Sequence, residues 1–494
     1  MDLCSAVQFF ENKTILVSGA TGFLANVFVE KILRIQPNIK RLYLLIRAPD
    51  VNSAHQRLHK EVLGKELFSV LKGKLGSNLD SFFYEKVIPV PGDISCENLG
   101  IQDITLKEEV CKNTNIVVNC AATTNFDERY DVALAINTMG ALNVLNFAKL
   151  CPAVKMLLHV STAYVCGEGT GHIMEEPFCM GESLNGTYKL DIDGEKKLVD
   201  EKMKELLVDG RREGIAFAMK ELGMERAKFY GWPNTYVFTK AMGEMLVGHF
   251  KDNLPTVIIR PTMVTSTFKK PFPGWIEGFK TIDSVLASYG KGKLKCFLAS
   301  PELVLDVVMQ IPADMVANAM IVSIVAHPCQ SCDRIIYHIG SSLRNPLKFS
   351  SVRDFTTRYF TKNPWINKNG KLVKTGKVTM LSGMPTFLCY MRIRFLLPLK
   401  GLCWLDAIFC QHFKRVYMDL DRKVKVAMRL VELYKPYLLF KGIFDDKNSE
   451  KLRVAAMEMG LNVDEFGFDP KCIDWEDYFI NIHLPGLVRY VMKQ

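Results

Sequence analysis

Residues 14–25, TILVSGATGFLA, pass from a short apolar segment through a turn with two glycines into a helical pattern. Gly19 permits a tight turn, and Gly22 lets the backbone approach a pyrophosphate, which the free N–H groups at a helix start can bind. Ala25 still permits close packing of helix on strand. Because the glycines lie between an apolar strand and an amphipathic helix, the segment predicts the first unit of a dinucleotide-binding fold.

The rest of the first half repeats this alternation of strand and helix. Between several of the apolar segments lie helical patterns such as residues 26–35 and 132–150. Continuous apolar strands separated by helices indicate a parallel sheet that is covered on both faces. We therefore expect an α/β fold with a Rossmann-like, doubly wound parallel sheet, whose strands lie near residues 14–18, 42–46, 86–90, 115–119, 155–160 and 256–260.

The length of 494 residues, with 48% hydrophobic and 23% charged residues, favours two or three domains. We expect a nucleotide-binding domain over residues 1–345, a connector over 346–389 and a helix-rich C-terminal domain over 390–494. The charged, helix-prone segment 167–230 interrupts the first domain. It is either a cap over the active site or a solvated helical excursion.

Composition excludes several classes of protein. The 14 cysteines form no framework of regular spacings, which indicates reduced thiols and no metal site. The first thirteen residues lead directly into a strand, so we expect neither a secretory signal nor a plastid transit peptide. The net charge of +10 is dispersed, and we expect no nucleic-acid partner.

The segment 380–409 is very apolar, but charged residues and a proline interrupt it. No uninterrupted run approaches the roughly 20 apolar residues of a membrane-spanning helix. A buried helical pair is the first expectation, because apolar helices are usually packed inside proteins. The alternatives are a surface that dips into a bilayer and a wall that faces an acyl chain.

Charged residues near the strand ends indicate which cofactor binds. Arg47 follows the second strand, where an NAD site would normally present Asp or Glu, and an arginine suits the 2′-phosphate of NADP. Arg57 is a second candidate for this phosphate, whereas nearby Asp50 leaves the acidic alternative open. After the third strand Asp93 can bind the adenine amino group, and the small residues of 120–126 (CAATTNF) would lie close to the cofactor.

Hydroxyl groups follow the fifth strand in HVSTAYV (159–165). Ser161 and Thr162 can hydrogen-bond a substrate carbonyl oxygen, because strand ends in such sheets face the ligand crevice. Alternatively, they only cap the strand. Further along, Tyr236 and Lys240 of YVFTK are one helical turn apart. A nearby lysine ammonium would lower the pKa of the phenol, which would then protonate a carbonyl oxygen as hydride reaches its carbon. Lysine can also hold the nicotinamide ribose.

Asn137 lies in the middle of the predicted helix 132–150. A polar residue there either anchors a water that relays protons or is a buried amide that bonds to backbone.

With these motifs in this order, the chain resembles the extended short-chain dehydrogenase/reductase superfamily and, more closely, the plant fatty acyl-CoA reductases. The likeness extends over nearly the whole chain, including a male-sterility-type domain from about residue 390 to the end. It rests on KTILVSGATGFLA, YLLIRAPD, PVPGDIS, NCAATTNFDERYD, INTMGALNVLNFAK, HVSTAYV, GWPNTYVFTKAMGE, VIIRPTM, PFPGWIEG, YHIGSS and LVELYKPYLLFKGIFDD.

The resemblance implies NADPH-dependent reduction of a long-chain acyl-CoA to a primary alcohol, through an aldehyde and with release of coenzyme A. It implies a catalytic group of Tyr236, Lys240 and Thr162 or Ser161, to which the candidate Asn137 is added from its position in the helix. It also implies peripheral association with the cytosolic face of the endoplasmic reticulum, or a cytoplasmic location, and products that feed wax, suberin or pollen-wall lipids. The residues implied to bind the cofactor are Gly19, Thr21, Gly22, Phe23, Leu24, Arg47, Arg57, Asp93, Ile94, Ala121, Tyr236, Lys240, Pro261 and Thr262.

Three other functions stay open. The enzyme can stop at the aldehyde, since one site could carry out either reduction. A nucleotide-sugar epimerase or dehydratase shares the glycine turn and the Tyr-Lys pair, but such enzymes usually have a much shorter interval than the one between Thr162 and Tyr236. A non-catalytic binding protein of this fold would typically have lost Tyr236 or Lys240. Acyl chain length and oligomeric state have no signature in the sequence.

Two positions depart from the plant reductases. Asn26 stands where these relatives usually have lysine, so one charge near the phosphates is missing. Residues 305–315 (LDVVMQIPADM) carry about three extra residues near the expected substrate side, where they would alter chain-length preference or local folding. Neither departure affects the catalytic group, and we expect an active enzyme.

Overall fold

The structure is a computed structural model that describes residues 6–208, 214–279, 281–294, 296–298, 311–327, 335–367, 369–376, 378–381, 383–408 and 412–493. Its strands are β1 (Thr14–Ser18), β2 (Arg41–Ile46), β3 (Val87–Pro91), β4 (Ile116–Asn119), β5 (Met156–Val160), β6 (Thr170–Ile173), β7 (Thr256–Pro261), β8 (Val264–Thr265), β9 (Cys296–Leu298), β10 (Ile311–Pro312), β11 (Ile335–Ile339), β12 (Thr379–Leu381) and β13 (Lys441–Phe444).

Seven of these strands form one parallel sheet in the order β11-β7-β5-β4-β1-β2-β3. The chain winds outward in opposite directions from β1 and β4, so the switch point, where such sheets bind ligands, lies between these two strands. The predicted doubly wound sheet is confirmed, and the six predicted strands agree with the observed bounds to within one residue. β11 was not predicted as a strand.

The strands are apolar throughout because the sheet is covered on both faces. Side chains alternate between the faces of a strand. Leu16, Val117 and Leu157 accordingly pack in one apolar cluster, while Val17, Val118 and Leu158 pack in the other. Both faces of the sheet are thereby shielded from water. The polar groups that follow the strands lie at the edge where the strands end.

Helices cover the sheet and build the C-terminal region. Short 3-10 and π-helical segments join several of them, including the π-helical turn Leu134–Met139. The α-helices are α1 (Ala6–Phe9), α2 (Phe23–Ile35), α3 (Val51–Leu58), α4 (Ser69–Leu75), α5 (Leu79–Lys86), α6 (Ile104–Asn113), α7 (Tyr130–Ala133), α8 (Gly140–Leu150), α9 (Ile192–Val208), α10 (Ile215–Phe229), α11 (Thr235–Phe250), α12 (Thr281–Gly290), α13 (Ala313–Ala326), α14 (Phe349–Lys362), α15 (Met384–Met391), α16 (Leu397–Ile408), α17 (Lys414–Leu438), α18 (Lys447–Glu458), α19 (Val463–Phe466), α20 (Trp475–Asp477) and α21 (Leu484–Gly486).

The charged insertion 167–230 contains β6, α9 and α10. Within it, Glu195 of α9 pairs with Arg226 of α10 at 2.5 Å. Tyr230, just after α10, stacks on Phe238 of α11 with ring centroids 5.6 Å apart. The insertion therefore packs beside the helix that carries Tyr236, and its role as a cap stays a prediction.

The C-terminal region shares its apolar core with the nucleotide-binding part. Phe444, Trp475 and Leu487 belong to the same cluster of buried side chains as Val17 and Phe28. In addition, β13 pairs in parallel with β6 of the insertion. The predicted connector contains α14 and also β12, which pairs with β9. The domain boundaries themselves stay a prediction.

Where the structure describes the apolar segment 380–409 it contains α15 and α16, and six of its large apolar side chains are exposed. Ile393 is 63% exposed, Trp404 75% and Ile408 69%, whereas Phe387, Met391 and Leu399 are buried. The expectation of a buried helical pair is therefore wrong, because each helix buries only a narrow stripe. Among the described residues, no helix combines the length and apolarity needed to cross a membrane.

Candidate active site

The glycine turn between β1 and α2 has the geometry of a phosphate cradle. Gly19 has a φ of +67°, and a Cβ there would lie 2.6 Å from the backbone nitrogen of Ala121. Only glycine fits this position without strain. The Gly22 N–H donates to the carbonyl of Gly19 at 2.8 Å, and Gly22 is the N-cap of α2. The first N–H groups of α2 thus face the switch point, where they can bind a pyrophosphate.

A cleft of about 440 Å³ opens at this turn, between the ends of β1, β2, β3 and β4. Its size and its glycine floor fit a dinucleotide. Eight of the residues predicted to bind the cofactor line it: Gly19, Thr21, Gly22, Arg47, Arg57, Asp93, Ile94 and Ala121.

The other residues predicted to bind the cofactor lie outside the lining of this cleft. Phe23 stacks on Trp275 with ring centroids 5.2 Å apart, and Leu24 packs against the core. Pro261 ends β7, and the Thr262 hydroxyl donates to the carbonyl of Ile339 at 3.4 Å. Their contacts are those of packing residues, and a cofactor role for them stays a prediction.

The structure separates the roles of the charged groups near β2. Asp50 accepts hydrogen bonds from the N–H and the hydroxyl of Ser53, at 2.7 and 3.0 Å, so it caps α3. Arg57 pairs with Glu61 and donates to the backbone carbonyl of Arg47. Arg47 is exposed at the cleft. Because Asp50 is engaged in this cap, the acidic alternative at the end of β2 is weakened, and a role of Arg47 in binding the 2′-phosphate stays a prediction.

Asp93 lines the cleft after β3. Its carboxylate accepts hydrogen bonds from the N–H and the hydroxyl of Ser95, both at 2.9 Å. These bonds hold the loop 92–95 in place.

The Tyr236 phenol lies beside the hydroxyl of Thr162, at the end of β5. Tyr236 is 9% exposed, and burial raises the pKa of its phenol to about 12, while a hydrogen bond with Thr162 lowers that pKa. The Tyr236 ring stacks on Phe126 with centroids 5.5 Å apart. The structure thus brings together the two groups that the sequence placed around a substrate carbonyl.

Lys240 lies one turn further along α11, fully buried, and its ammonium donates to the carbonyl of Val160 at 2.8 Å. Burial lowers the pKa of Lys240 to about 8. The expectation that Lys240 lowers the pKa of Tyr236 has no support in these contacts and stays a prediction. Burial dominates the pKa of the phenol, and the ammonium is directed at the Val160 carbonyl.

Ser161 supplies a hydroxyl group that is free for a ligand. Its backbone N–H donates to Ile259 at 2.7 Å, but its Oγ is buried without a hydrogen-bond partner in the described part of the chain. A buried hydroxyl without a partner carries a free-energy cost, which a ligand oxygen would relieve. Ser161 and Thr162 therefore both supply donors at the end of β5.

Asn137 is a fully engaged buried amide. Its Nδ2 donates to the Thr123 carbonyl at 3.1 Å and to the Thr239 hydroxyl at 3.0 Å, and its Oδ1 accepts from the Thr123 N–H at 3.0 Å. These bonds tie the loop after β4 to α11 and correspond to the buried-amide alternative. A proton-relay role stays a prediction.

Sequence reasoning missed an aromatic cluster around Tyr236. Phe126, from the loop after β4, contacts Tyr434 and Tyr437 of α17 with centroid distances of 5.3 and 4.9 Å. Tyr437 also contacts Tyr164 at 5.1 Å. The available signal was the pair Tyr434 and Tyr437, three residues apart and therefore on one helix face. The C-terminal region thus covers Tyr236.

Ion pairs hold this cover in place. Asp127, next to Phe126, pairs with Arg429 of α17 at 2.8 Å and with Lys220 of α10 at 3.2 Å. Arg429 also pairs with Glu221 of α10 at 3.1 Å. Loop, insertion and C-terminal helix therefore meet at one charged cluster beside the active site.

Of the two departures noted in the sequence, the structure describes Asn26. Asn26 is fully buried, and its Nδ2 donates to the Gly22 carbonyl at 2.8 Å, so it braces the glycine turn. The extra residues near 307–310 lie outside the described residues. Beyond them, the Asp314 carboxylate accepts from the N–H groups of Phe268, Lys269 and Lys270 at 2.7–3.0 Å.

Comparison with known proteins gives matches over most of the chain. Residues 17–320 match an NAD-binding domain and residues 395–494 a Sterile domain, both described as male sterility protein. The probable fatty acyl-CoA reductase 4 of Arabidopsis thaliana is 56% identical over 99% of each chain. The alcohol-forming fatty acyl-CoA reductase of Simmondsia chinensis is 55% identical over 100% of each chain.

Solved structures share the fold at much lower identity. The reductase domain of a nonribosomal peptide synthetase from Mycobacterium tuberculosis has a TM-score of 0.58 at 18% identity, covering 99% of this chain and 95% of its own. At this identity the similarity concerns the fold alone.

Proposed function

The chain belongs to the fatty acyl-CoA reductase family, and from this premise we propose that it reduces a long-chain acyl-CoA with NADPH to the primary alcohol. One observation carries the proposal. The hydroxyls of Thr162 and Tyr236 lie together under an apolar cover, next in sequence to the buried hydroxyl of Ser161, in a chain that matches such reductases over its full length.

The reaction is two reductions at one carbonyl carbon. Bound NADPH supplies a hydride in each. The first converts the thioester to the alkoxide of a hemithioacetal, whose C–S bond then breaks to give the aldehyde and the thiolate of coenzyme A, which takes up one proton and leaves as the thiol. The second converts the aldehyde to the alkoxide of the product, which needs one proton. The same donors can serve both reductions, since both develop negative charge on the same oxygen.

The roles of the residues follow from their positions. Ser161 and Thr162 donate hydrogen bonds to the carbonyl oxygen, and Tyr236 gives its proton to the alkoxide. A phenol with a pKa of about 12 keeps its proton at neutral pH and still protonates an alkoxide, which is a far stronger base. Lys240, mostly protonated at pH 7, holds the nicotinamide ribose. Phe126 and Tyr437 exclude water and contact the acyl chain.

Product analysis tests the proposal. Purified protein is incubated with NADPH and either palmitoyl-CoA or stearoyl-CoA, and the extracted lipids are separated by gas chromatography. We expect two NADPH oxidised for each fatty alcohol formed. Aldehyde as the sole product with one NADPH consumed would establish an enzyme that stops halfway, and absence of both products would reject the reductase function.

Arg47 underlies the proposed preference for NADPH over NADH. Arg47→Glu should lower kcat/KM for NADPH by about 100-fold, because a charge-assisted hydrogen bond worth roughly 1.5–3 kcal/mol is replaced by repulsion. The kcat/KM for NADH should either rise or fall by less than threefold. Initial rates with each cofactor measure both values. Arg41→Gln, at the opposite end of β2, is the matched control and should keep the wild-type preference. An unchanged preference in Arg47→Glu would contradict this assignment.

The exposed face of α15, α16 and the start of α17 supports peripheral membrane association. Apolar side chains exposed on this face include Ile393, Leu397, Trp404, Ile408 and Met418. Arg392, Arg394 and Lys400 are exposed among them. Apolar residues interspersed with cations fit a bilayer that contains anionic lipids. We place this face on the cytosolic side of the endoplasmic reticulum, where the alcohols would feed surface lipids such as wax and suberin.

Negative charge introduced on this face should weaken the binding of the protein to lipid vesicles. The double variant Trp404→Glu/Ile408→Glu should bind vesicles of phosphatidylcholine and phosphatidylserine at least tenfold more weakly than wild type in co-sedimentation, because two carboxylates replace apolar contacts. Val208→Glu/Phe217→Glu, at exposed apolar positions of the insertion, should bind like wild type. Equal binding of all three proteins would reject docking through α16.

A further inference from the structure

The last turn of α17 reaches the helix that carries the catalytic tyrosine. Tyr437, the second-last residue of α17, is 4% exposed. Its ring lies 4.9 Å from that of Phe126, which in turn stacks on Tyr236. Tyr437 is therefore separated from the reacting phenol by a single aromatic ring.

The hydroxyl of Tyr437 makes a second connection to the same tyrosine. It accepts a hydrogen bond from the Nδ2 of Asn234 at 2.7 Å. Asn234 is fully buried and is the N-cap of α11, since its Oδ1 accepts from the N–H of Val237 at 3.1 Å. A side chain from the C-terminal region thus fixes the orientation of the cap residue.

The cap matters because of where Tyr236 lies in the helix. α11 begins at Thr235, so Tyr236 belongs to the first turn. Backbone N–H groups in a first turn have no partner within the helix, and a side-chain cap is what orders them. A shift of the cap therefore moves the Tyr236 phenol relative to Thr162. Displacements of about 1 Å can reduce catalysis by about 100-fold.

We propose that Tyr437 is a positioning residue of the reductase centre, which acts through Asn234 on Tyr236 and through its ring on the acyl chain beside the thioester. The coupling of Tyr437 to the cap residue rests on contacts alone, whereas its effects on catalysis and on the acyl chain rest on the proposed function. The C-terminal region then completes the active site instead of serving as a separate module. Arg429 contributes by holding α17 against Asp127 at 2.8 Å.

Two variants separate the hydroxyl from the ring. Tyr437→Phe keeps the aromatic wall and removes the acceptor for Asn234. We expect kcat to fall at least tenfold while KM for palmitoyl-CoA stays within twofold, because substrate contacts remain and only Tyr236 is displaced. Tyr437→Leu also removes the ring, and KM for palmitoyl-CoA should then rise at least fivefold. Tyr417→Phe, on the same helix and far from Asn234, is the matched control and should behave like wild type.

Hydrogen exchange provides a readout that does not depend on activity. In Tyr437→Phe the backbone amides of residues 235–238 should exchange at least tenfold faster than in wild type, with the exchange of α13 and β5 unchanged. If the wild type is inactive, the proposed function fails. The exchange rates of residues 235–238 would still show whether Tyr437 is coupled to the cap residue Asn234.

Two results would overturn the proposal. One is wild-type kcat and wild-type exchange at residues 235–238 in Tyr437→Phe. The other is faster exchange throughout the C-terminal region together with a loss of folded protein that accounts for the whole fall in kcat, since Tyr437 would then only stabilise the fold.

Discussion

Tyr236→Phe is expected to lower kcat/KM for palmitoyl-CoA by about a thousandfold, within the range of roughly 10²–10⁴ that a positioned proton donor contributes. The substitution removes one oxygen and leaves the ring stacked on Phe126. Affinity for NADPH should stay within twofold, because the substitution leaves Lys240 and the lining of the dinucleotide cleft unchanged. The loss should fall on the second reduction most strongly, where the alkoxide requires a proton, so aldehyde should accumulate in the residual activity.

Steady-state kinetics, fluorescence titration with NADPH and gas chromatography measure these three effects. Tyr130→Phe is the matched control. It also deletes a buried phenol oxygen, which donates to Glu195 at 2.7 Å, and its ring packs on Phe238 of the same helix α11. Activity of Tyr130→Phe should stay within about threefold of wild type. Alcohol formation at the wild-type rate by Tyr236→Phe would show that another group delivers the proton.

Lys240→Met should lower kcat/KM for NADPH by about a hundredfold, because the charge that holds the ribose is lost and the Val160 carbonyl loses its partner. The pH dependence of the wild type follows from the pKa of about 8. Below pH 8 the ammonium is present, and as the pH rises through about 8 the proton leaves. Wild-type kcat/KM should therefore decline above pH 8, whereas the residual activity of Lys240→Met should lack this decline.

Stability at pH 7 should not fall in Lys240→Met. The folded pKa of about 8 lies below the ordinary value of 10.5, so keeping the lysine protonated in the folded state costs about 3 kcal/mol. This cost is complete below pH 8, diminishes between pH 8 and 10.5, and is absent above. Methionine removes the cost and leaves the Val160 carbonyl unpaired, which costs roughly 1–3 kcal/mol. Urea unfolding at pH 7 measures the balance.

Lys31 offers a matched control for Lys240. It is also buried with a pKa lowered to about 8, but it lies on α2 away from the cleft and pairs with Glu465 at 3.6 Å. Lys31→Met should keep kcat/KM within about threefold. Equal losses of activity in the two variants would mean that burial of a lysine, and not contact with cofactor, explains the effect of Lys240→Met.

Local patterns in the sequence were sufficient for most of the sheet. Apolar runs bounded by turn residues predicted six strands, since a buried parallel strand needs nothing but a short apolar segment. β11 carries a polar histidine among apolar residues, as the predicted β5 does, so the signal for this strand was present in the sequence. β8 and β10 are two residues long and have no period to detect. The exposure of α15 and α16 was also missed, because apolar composition does not say which side of a helix faces protein.

The candidate site was predictable where its residues directly follow strands of the sheet. The glycine turn, Arg47 and the hydroxyls after β5 each follow a strand, so the fold itself brings them to one edge. The direction of the Lys240 ammonium was not predictable, because it depends on the carbonyl of Val160 in another strand. Nor was the contact between Phe126 and Tyr437, which joins segments that are far apart in the chain and share no pattern.

The pairing of β6 with β13 bears on how the protein is made. During synthesis, all residues that line the nucleotide cleft are made long before β13 leaves the ribosome. Until β13 appears, β6 lacks the strand with which it pairs, and part of the shared core is open. A nascent chain that ends before residue 440 thus exposes apolar surface and a bare strand edge, which are features that chaperones bind and that promote aggregation.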